Sequence, residues 1–151
     1  MTVGSLPGAR RGPSRGADSA GLLALARTGL GEAALAADPP QRYAAAHLAA
    51  LRAAAAVVAA KARPAERTGP RGRPVSVWVL LSRIAPEMHE WAQFFAAGAR
   101  KRAAAEAGLA GQVSPREADD LLRDAETFLA VAETTLMVDH QEALPLQRPS
   151  A

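Results

Sequence analysis

Apolar residues recur along most of the chain at intervals of three and four, the spacing that lines one face of an α-helix, and the interruptions fall where glycine and proline collect. Residues 1–17 are rich in Gly, Pro, Ser and Arg without any period and read as a disordered tail. Asp18 or Ser19 then caps a helix running to about Ala37, with Leu22, Leu25, Leu30 and Ala33 as its stripe. Gly29 and Gly31 weaken it by roughly 1 kcal/mol each relative to alanine, and permit a close crossing by a neighbour. Asp38, Pro39 and Gln41 give a stronger start signal, combining an N-cap, a first-position proline and a capping-box glutamine. The helix they open runs from Pro39 to about Ala62. Its stripe is Ala44, Leu48, Leu51, Ala55 and Val58, and most of the remainder is alanine, which suits a thin helix packed closely on others.

From Arg63 to Arg73 the sequence RPAERTGPRGR holds two prolines and two glycines and reads as a basic surface loop. The following segment, VSVWVLLSRIA, starts near Pro74 and is β-branched enough to suit a strand, because Val75, Val77 and Val79 alternate with Ser76, Trp78 and Leu80. Helix is preferred, since no second strand is evident to pair with it. Pro86 kinks or splits this third helix, and the pattern resumes from Glu87 to about Ala107 with Met88, Trp91, Phe95 and Ala99 on one face. Gly108 and Gly111 close it, and Ser114-Pro115-Arg116-Glu117 is a capping box opening a last helix to about Val138. Leu122, Ala125, Leu129, Ala132 and Leu136 form its face, widened by Leu121 and Phe128; residues 139–151 carry no pattern and read as a second tail. The expected fold is all-α: one domain over residues 18–138, an antiparallel four-helix bundle whose third helix is kinked or split at Pro86.

Composition adjusts this picture. A chain of 151 residues buries roughly 68–70% of the surface its unfolded form exposes, enough for one real core. The hydrophobic share of 49% is mostly alanine and only 4% of residues are aromatic, so close helix approach must compensate for small side chains. Trp78, Trp91, Phe94 and Phe95 gather around Pro86, where the core is expected to be anchored. No cysteine is present, which excludes disulfides and thiolate chemistry, and His47, His89 and His140 form no His-x-x-x-His pair, so neither a metal nor another cofactor is expected. No phosphate-cradling Gly-rich loop and no Gly-x-Ser-x-Gly elbow occurs. Asp119 with Asp120, and Glu126 with Glu133, read as solvated helix faces rather than acid–base pairs. The N-terminal arginines precede no apolar run and no apolar stretch is judged long enough to span a membrane, so the protein is expected in the cytoplasm, off the membrane.

The net charge is only +3, but Arg63, Arg67, Arg71 and Arg73 crowd one loop opposed by Glu66 alone, a candidate contact for nucleic-acid phosphates. Sixteen arginines against two lysines, with abundant alanine, also fit a GC-rich genome.

One arrangement could carry chemistry. In Arg42-Tyr43-Ala44-Ala45-Ala46-His47 an arginine and a histidine are five positions apart at a helix start. Histidine can move a proton to or from a 2′-hydroxyl, and arginine can stabilise a phosphorane, which together would cleave RNA without metal. Positions five apart on a helix diverge by about 140°, so one helix does not aim both groups at one phosphate and a site needs a second copy or a non-helical turn. The plainer reading packs His47 beside the Leu51 stripe, four residues after Tyr43. A second such spacing joins Arg83 to His89, which sits between Glu87 and Glu90 and reads as surface.

These residues resemble the HEPN superfamily, helical bundles whose ribonuclease members use an Arg-x(4–6)-His motif in sites composed across a dimer. RYAAAHLAALRAAAAVVAAKARP and RIAPEMHEWAQFFAAGARKRAAAEAG look like an uncharacterised actinobacterial branch of it, a resemblance covering roughly residues 20–137. It implies a four-helix HEPN-like bundle and carries the family's arginine onto Arg42 and its histidine onto His47. It also shows departures: Tyr43 follows the arginine where active members often have a polar residue, and the motif opens the second helix rather than a late one. Two functions follow. The first is a non-catalytic module that binds RNA or a protein partner and forms a homodimer; the second is a metal-independent endoribonuclease of toxin type using Arg42 and His47 across a dimer.

Overall fold

The computed structural model describes residues 15–143 apart from 68, 70, 71, 74 and 110. Most of the two expected tails therefore lies outside the described residues. Every regular element among these residues is helical: α1 (Arg15–Leu35), α2 (Pro39–Lys61), a 3₁₀ turn (Pro64–Arg67), α3 (Val77–Ile84), a second 3₁₀ turn (Pro86–Met88), α4 (His89–Ala97), α5 (Ala99–Glu106) and α6 (Pro115–Ala143).

Helix α1 is already formed at Arg15, ahead of the expected cap at Asp18 or Ser19, and Ser19 has other work. Its hydroxyl is buried and donates to the Ala56 carbonyl at 2.8 Å, joining α1 to α2. Helix α2 begins as its sequence dictates: Asp38 is extended (φ −76°, ψ 121°), its carboxylate accepts from the Gln41 N–H at 3.4 Å, and Pro39 occupies the first position. Helix α6 opens the same way, with Ser114 Oγ accepting from Glu117 N–H at 3.1 Å. It then runs past the expected end at Val138, so residues 139–143 are helix and not tail.

The face that α2 buries is not the one its larger residues suggested. Ala46, Ala49, Ala50, Ala53, Ala54, Ala56 and Val57 are buried; of the expected stripe Val58 is buried too, while Ala44, Leu48, Leu51 and Ala55 are only partly so. The reason is its position: α1, α3, α4, α5 and α6 all pack on α2, so small side chains take the tightest contacts and leucines fill the seams. Gly29 of α1 sits over Ala49, whereas Gly31 faces open space, so only the first serves a crossing. By length and mean hydropathy (1.5 over its best window) α2 is also apolar enough to cross a bilayer, contrary to the sequence reading, but as the central helix it is mostly buried among the others.

The third expected helix is two. Helix α3 stops at Ile84; Ala85 is non-helical (φ −135°, ψ 75°) and Pro86 opens a 3₁₀ turn. Its start is Val77, and Pro74, the expected start, lies outside the described residues. The stretch expected as one helix from Glu87 to Ala107 is itself divided at Gly98 into α4 and α5.

Around this division lies the core. Phe95 meets Trp78 at 5.4 Å, Trp91 at 5.9 Å, Phe94 at 5.0 Å and Phe128 at 5.2 Å between ring centroids. With Tyr43 joined through His47, all six aromatic residues of the chain belong to one cluster. Phe95 and Phe128 are fully buried, each contributing about 1.5–3 kcal/mol by leaving water. Such crowding predicts that Ala53→Leu costs about 1–3 kcal/mol in urea denaturation by overpacking, whereas Leu35→Ala, at a residue 88% exposed, changes stability by less than about 0.5 kcal/mol.

Candidate functional site

Arg42 and His47 share α2 but serve different neighbours. The Arg42 side chain turns to the helix ends: Nε donates to the Ala36 carbonyl at 3.0 Å, just beyond α1, and the guanidinium pairs with Asp119 of α6. A cation at a helix N-terminus is unfavourable for the dipole, and here the pairing with Asp119 offsets it. His47 points the other way and is fully buried. Its ring stacks on Tyr43 (6.4 Å, 15°) and meets Trp78 and Phe95 edge-on at 6.1 and 6.0 Å.

His47 Nε2 lies 2.7 Å from the Phe95 carbonyl oxygen. A carbonyl can only accept, so Nε2 carries the proton and Nδ1 is the bare nitrogen. Nδ1 is buried and has no hydrogen-bond partner among the described residues. Burial pushes the His47 pKa below its ordinary value, against the Phe95 hydrogen bond, and the Arg102 charge adds to the fall while Glu106 opposes it. The neutral ring is therefore the form this place accepts.

The Phe95 carbonyl also accepts from Gly98 N–H at 3.1 Å, so one oxygen both ends α4 and holds α2. Gly98 has ordinary helical angles (φ −78°, ψ −8°), and its lack of a side chain answers a need for space. A Cβ there would lie 2.8 Å from the Tyr43 hydroxyl and 3.3 Å from His47 Cδ2. The pair Tyr43 and His47 thus forms the ridge of a close helix crossing over Gly98.

The other candidates sit on the surface. Arg63 and Arg73 are exposed on either side of the loop; the side chain of Arg67 and all of Arg71 lie outside the described residues. Arg83 and His89, the second arginine–histidine spacing, come together at one groove of about 370 Å³ between α3 and α4, with Trp78, Ser82 and Gln93 also in its wall. Both are exposed, and neither side chain has a hydrogen bond or ion pair to another described residue. The break at Pro86 is what brings them to one side. Sequence reasoning passed over Ser82 and Gln93; the signal was the spacing of Gln93 four residues after His89, which stacks the two on one helix face. Three of the four carboxylates considered earlier are paired with cations: Asp119 with Arg42, Asp120 with Arg123 at 3.5 Å, and Glu133 with Arg27 at 2.9 Å.

The crossing makes a double-variant prediction. Gly98→Ala gains helix propensity of about 1 kcal/mol, and loses about 1–3 kcal/mol to the Tyr43 clash, for a net destabilisation near 1 kcal/mol. In a Tyr43→Phe background the clashing hydroxyl is gone, so the same substitution should become neutral or stabilising in chemical denaturation.

No curated protein and no solved structure matches the chain significantly. A family model does: SAV_6107-like HEPN, over residues 33–133, the span from the end of α1 through the aromatic cluster to most of α6. With two thirds of its length covered by that match, the chain belongs to the SAV_6107-like HEPN family.

Proposed function

We propose that this protein is a non-catalytic HEPN module that binds RNA through exposed arginines. The carrying observation is that its leading arginine–histidine pair is engaged in the fold: His47 is buried and bonded to Phe95, and Arg42 is held by Ala36 and Asp119. A general acid–base must reach the proton it transfers, and a phosphate-stabilising arginine must reach the phosphate. His47 lacks that reach while α2 keeps its crossing with α4 and α5, and Arg42 is engaged while it holds Ala36 and Asp119.

In this reading, α1, α2, α6 and the α4–α5 pair are the four members of an antiparallel HEPN-like bundle, and the protein works in the cytoplasm as a homodimer. Support for association comes from Val79 and Phe94, large apolar side chains 43% and 46% exposed on α3 and α4. Support for RNA comes from Arg63 and Arg73 on the loop and from the groove where Arg83 and His89 stand beside the hydrogen-bonding Ser82 and Gln93. A ribonuclease reading draws on the same groove, because there an arginine and a histidine do face one solvent-accessible space.

Fluorescence anisotropy with labelled single-stranded RNA, titrated with salt, tests the proposal. Binding should weaken as salt rises, and Arg83→Ala and Arg63→Ala should each lower the slope of log K against log salt by about 0.7. The absence of affinity at low salt would overturn it. Incubation of the same RNA in EDTA reads catalysis directly: intact RNA is expected. Cleavage lost in Arg83→Ala and His89→Ala would move the protein to the ribonuclease reading at the groove, and cleavage lost in Arg42→Ala and His47→Ala would place a site on α2.

A further inference from the structure

Helix α5 is short and poorly anchored. Of its eight residues only Ala105 is buried, and its ends are Gly98 and a turn at Gly108, whose positive φ of 71° favours glycine. It carries the basic run Arg100-Lys101-Arg102. Lys101 pairs with Glu117 of α6, and among the described residues Arg102 reaches only Glu106, at 3.8 Å, its Nε buried without a hydrogen bond. What docks this segment on α2 is the crossing over Gly98, where the Tyr43 hydroxyl and the His47 ring close on the backbone.

We infer that His47 is a proton-operated latch: proton uptake by its ring releases α5, with its basic run, from the face of α2. The physical reason is the state of Nδ1. The neutral ring satisfies itself with one bond, Nε2–H to the Phe95 carbonyl. A second proton would create an N–H at Nδ1, which is buried and faces no acceptor among the described residues. It would also place a full charge among Tyr43, Trp78 and Phe95. The imidazolium must then reach water or acceptors.

The groups that face the ring decide where the structure gives. From α2 comes Tyr43, from α3 Trp78 and from α4 Phe95, none of them charged at neutral pH and all part of the aromatic core. From α5 come Arg102, which repels the new charge, and Glu106, which attracts it. Glu117 of α6 acts on Tyr43 rather than on the ring and is held by Lys101. Opening on the α5 side costs one small buried residue, the cover of Tyr43 and the surface Lys101–Glu117 pair; opening on any other side costs the core.

The sign follows from linkage. The folded ring has its pKa below the ordinary value of 6.5, so the opened state binds the extra proton. Opening is rare above that value and grows by about tenfold per pH unit as pH falls from 6.5 towards the lowered pKa.

Amide hydrogen exchange, corrected for intrinsic rates and compared at about pH 7.5 and about pH 5.5, reads this directly. In the wild type, protection in residues 99–106 should fall, by up to about tenfold, while α2 and α6 hold theirs. His89→Gln with His140→Gln, at the two exposed histidines, should leave that response in place. His47→Gln, which keeps a donor for Phe95 but cannot titrate, should abolish it. An NMR titration of the wild-type imidazoles supplies a check that needs no variant: the midpoint of the α5 change must coincide with that of His47. Loss of protection spread evenly over all helices, an unchanged response in His47→Gln, or a midpoint shared instead with His89 or His140 would each overturn the latch.

Discussion

One hydrogen bond organises this molecule, the bond from His47 Nε2–H to the Phe95 carbonyl at 2.7 Å. It spans the place where α2 crosses the α4–α5 pair, and the surrounding residues are chosen to let it form. Gly98 leaves room for Tyr43 and His47 to approach, and the carbonyl that accepts from His47 also accepts from Gly98 N–H and so finishes α4. Phe95, whose backbone makes the bond, is the ring on which Trp78, Trp91, Phe94 and Phe128 converge. An alanine-rich chain with few large side chains has little apolar area to bury per residue. Concentrating all of its aromatic residues at one polar joint gives α2 a single defined position among its neighbours.

The starts of α2 and α6 were legible because their chemistry is local. Asp38 with Pro39, and Ser114 with Pro115, satisfy orphan N–H groups within one turn, and such signals need no knowledge of what packs where. Pro86 was legible for the same reason. The buried face of α2 was not, because leucine and alanine were weighed by size, whereas a helix surrounded on several sides puts its smallest residues at the tightest contacts. The break at Gly98 was hidden too: its cause is Tyr43, more than fifty positions away in sequence, and glycine inside a helical pattern carries no such message by itself. Ser19 was read as a cap because serine usually caps, yet its hydroxyl serves α2 through Ala56.

The candidate site followed the same division. Sequence spacing found both arginine–histidine pairs, and the family resemblance favoured the first. Position in the fold reverses their accessibility: Arg42 and His47 are occupied by Asp119, Ala36 and Phe95, while Arg83 and His89 share an open groove. A spacing of five or six residues says that two side chains could cooperate; whether they do depends on a break such as Pro86, which turns the chain so that α3 and α4 flank a common space. Membership of the SAV_6107-like HEPN family gives the helical frame. The use made of that frame rests on which polar groups the packing leaves free.

The account stands on His47 being an interior, neutral, hydrogen-bonded ring. Native-state modification by diethyl pyrocarbonate, followed residue by residue by mass spectrometry at neutral pH, tests this most directly, because the reagent attacks an unprotonated ring nitrogen that solvent can reach. The account predicts that His89 and His140, both exposed, react readily while His47 stays unmodified until the protein is unfolded. Modification of His47 at a rate comparable to the other two would contradict it, placing the ring at the surface and reopening α2 as a site of chemistry.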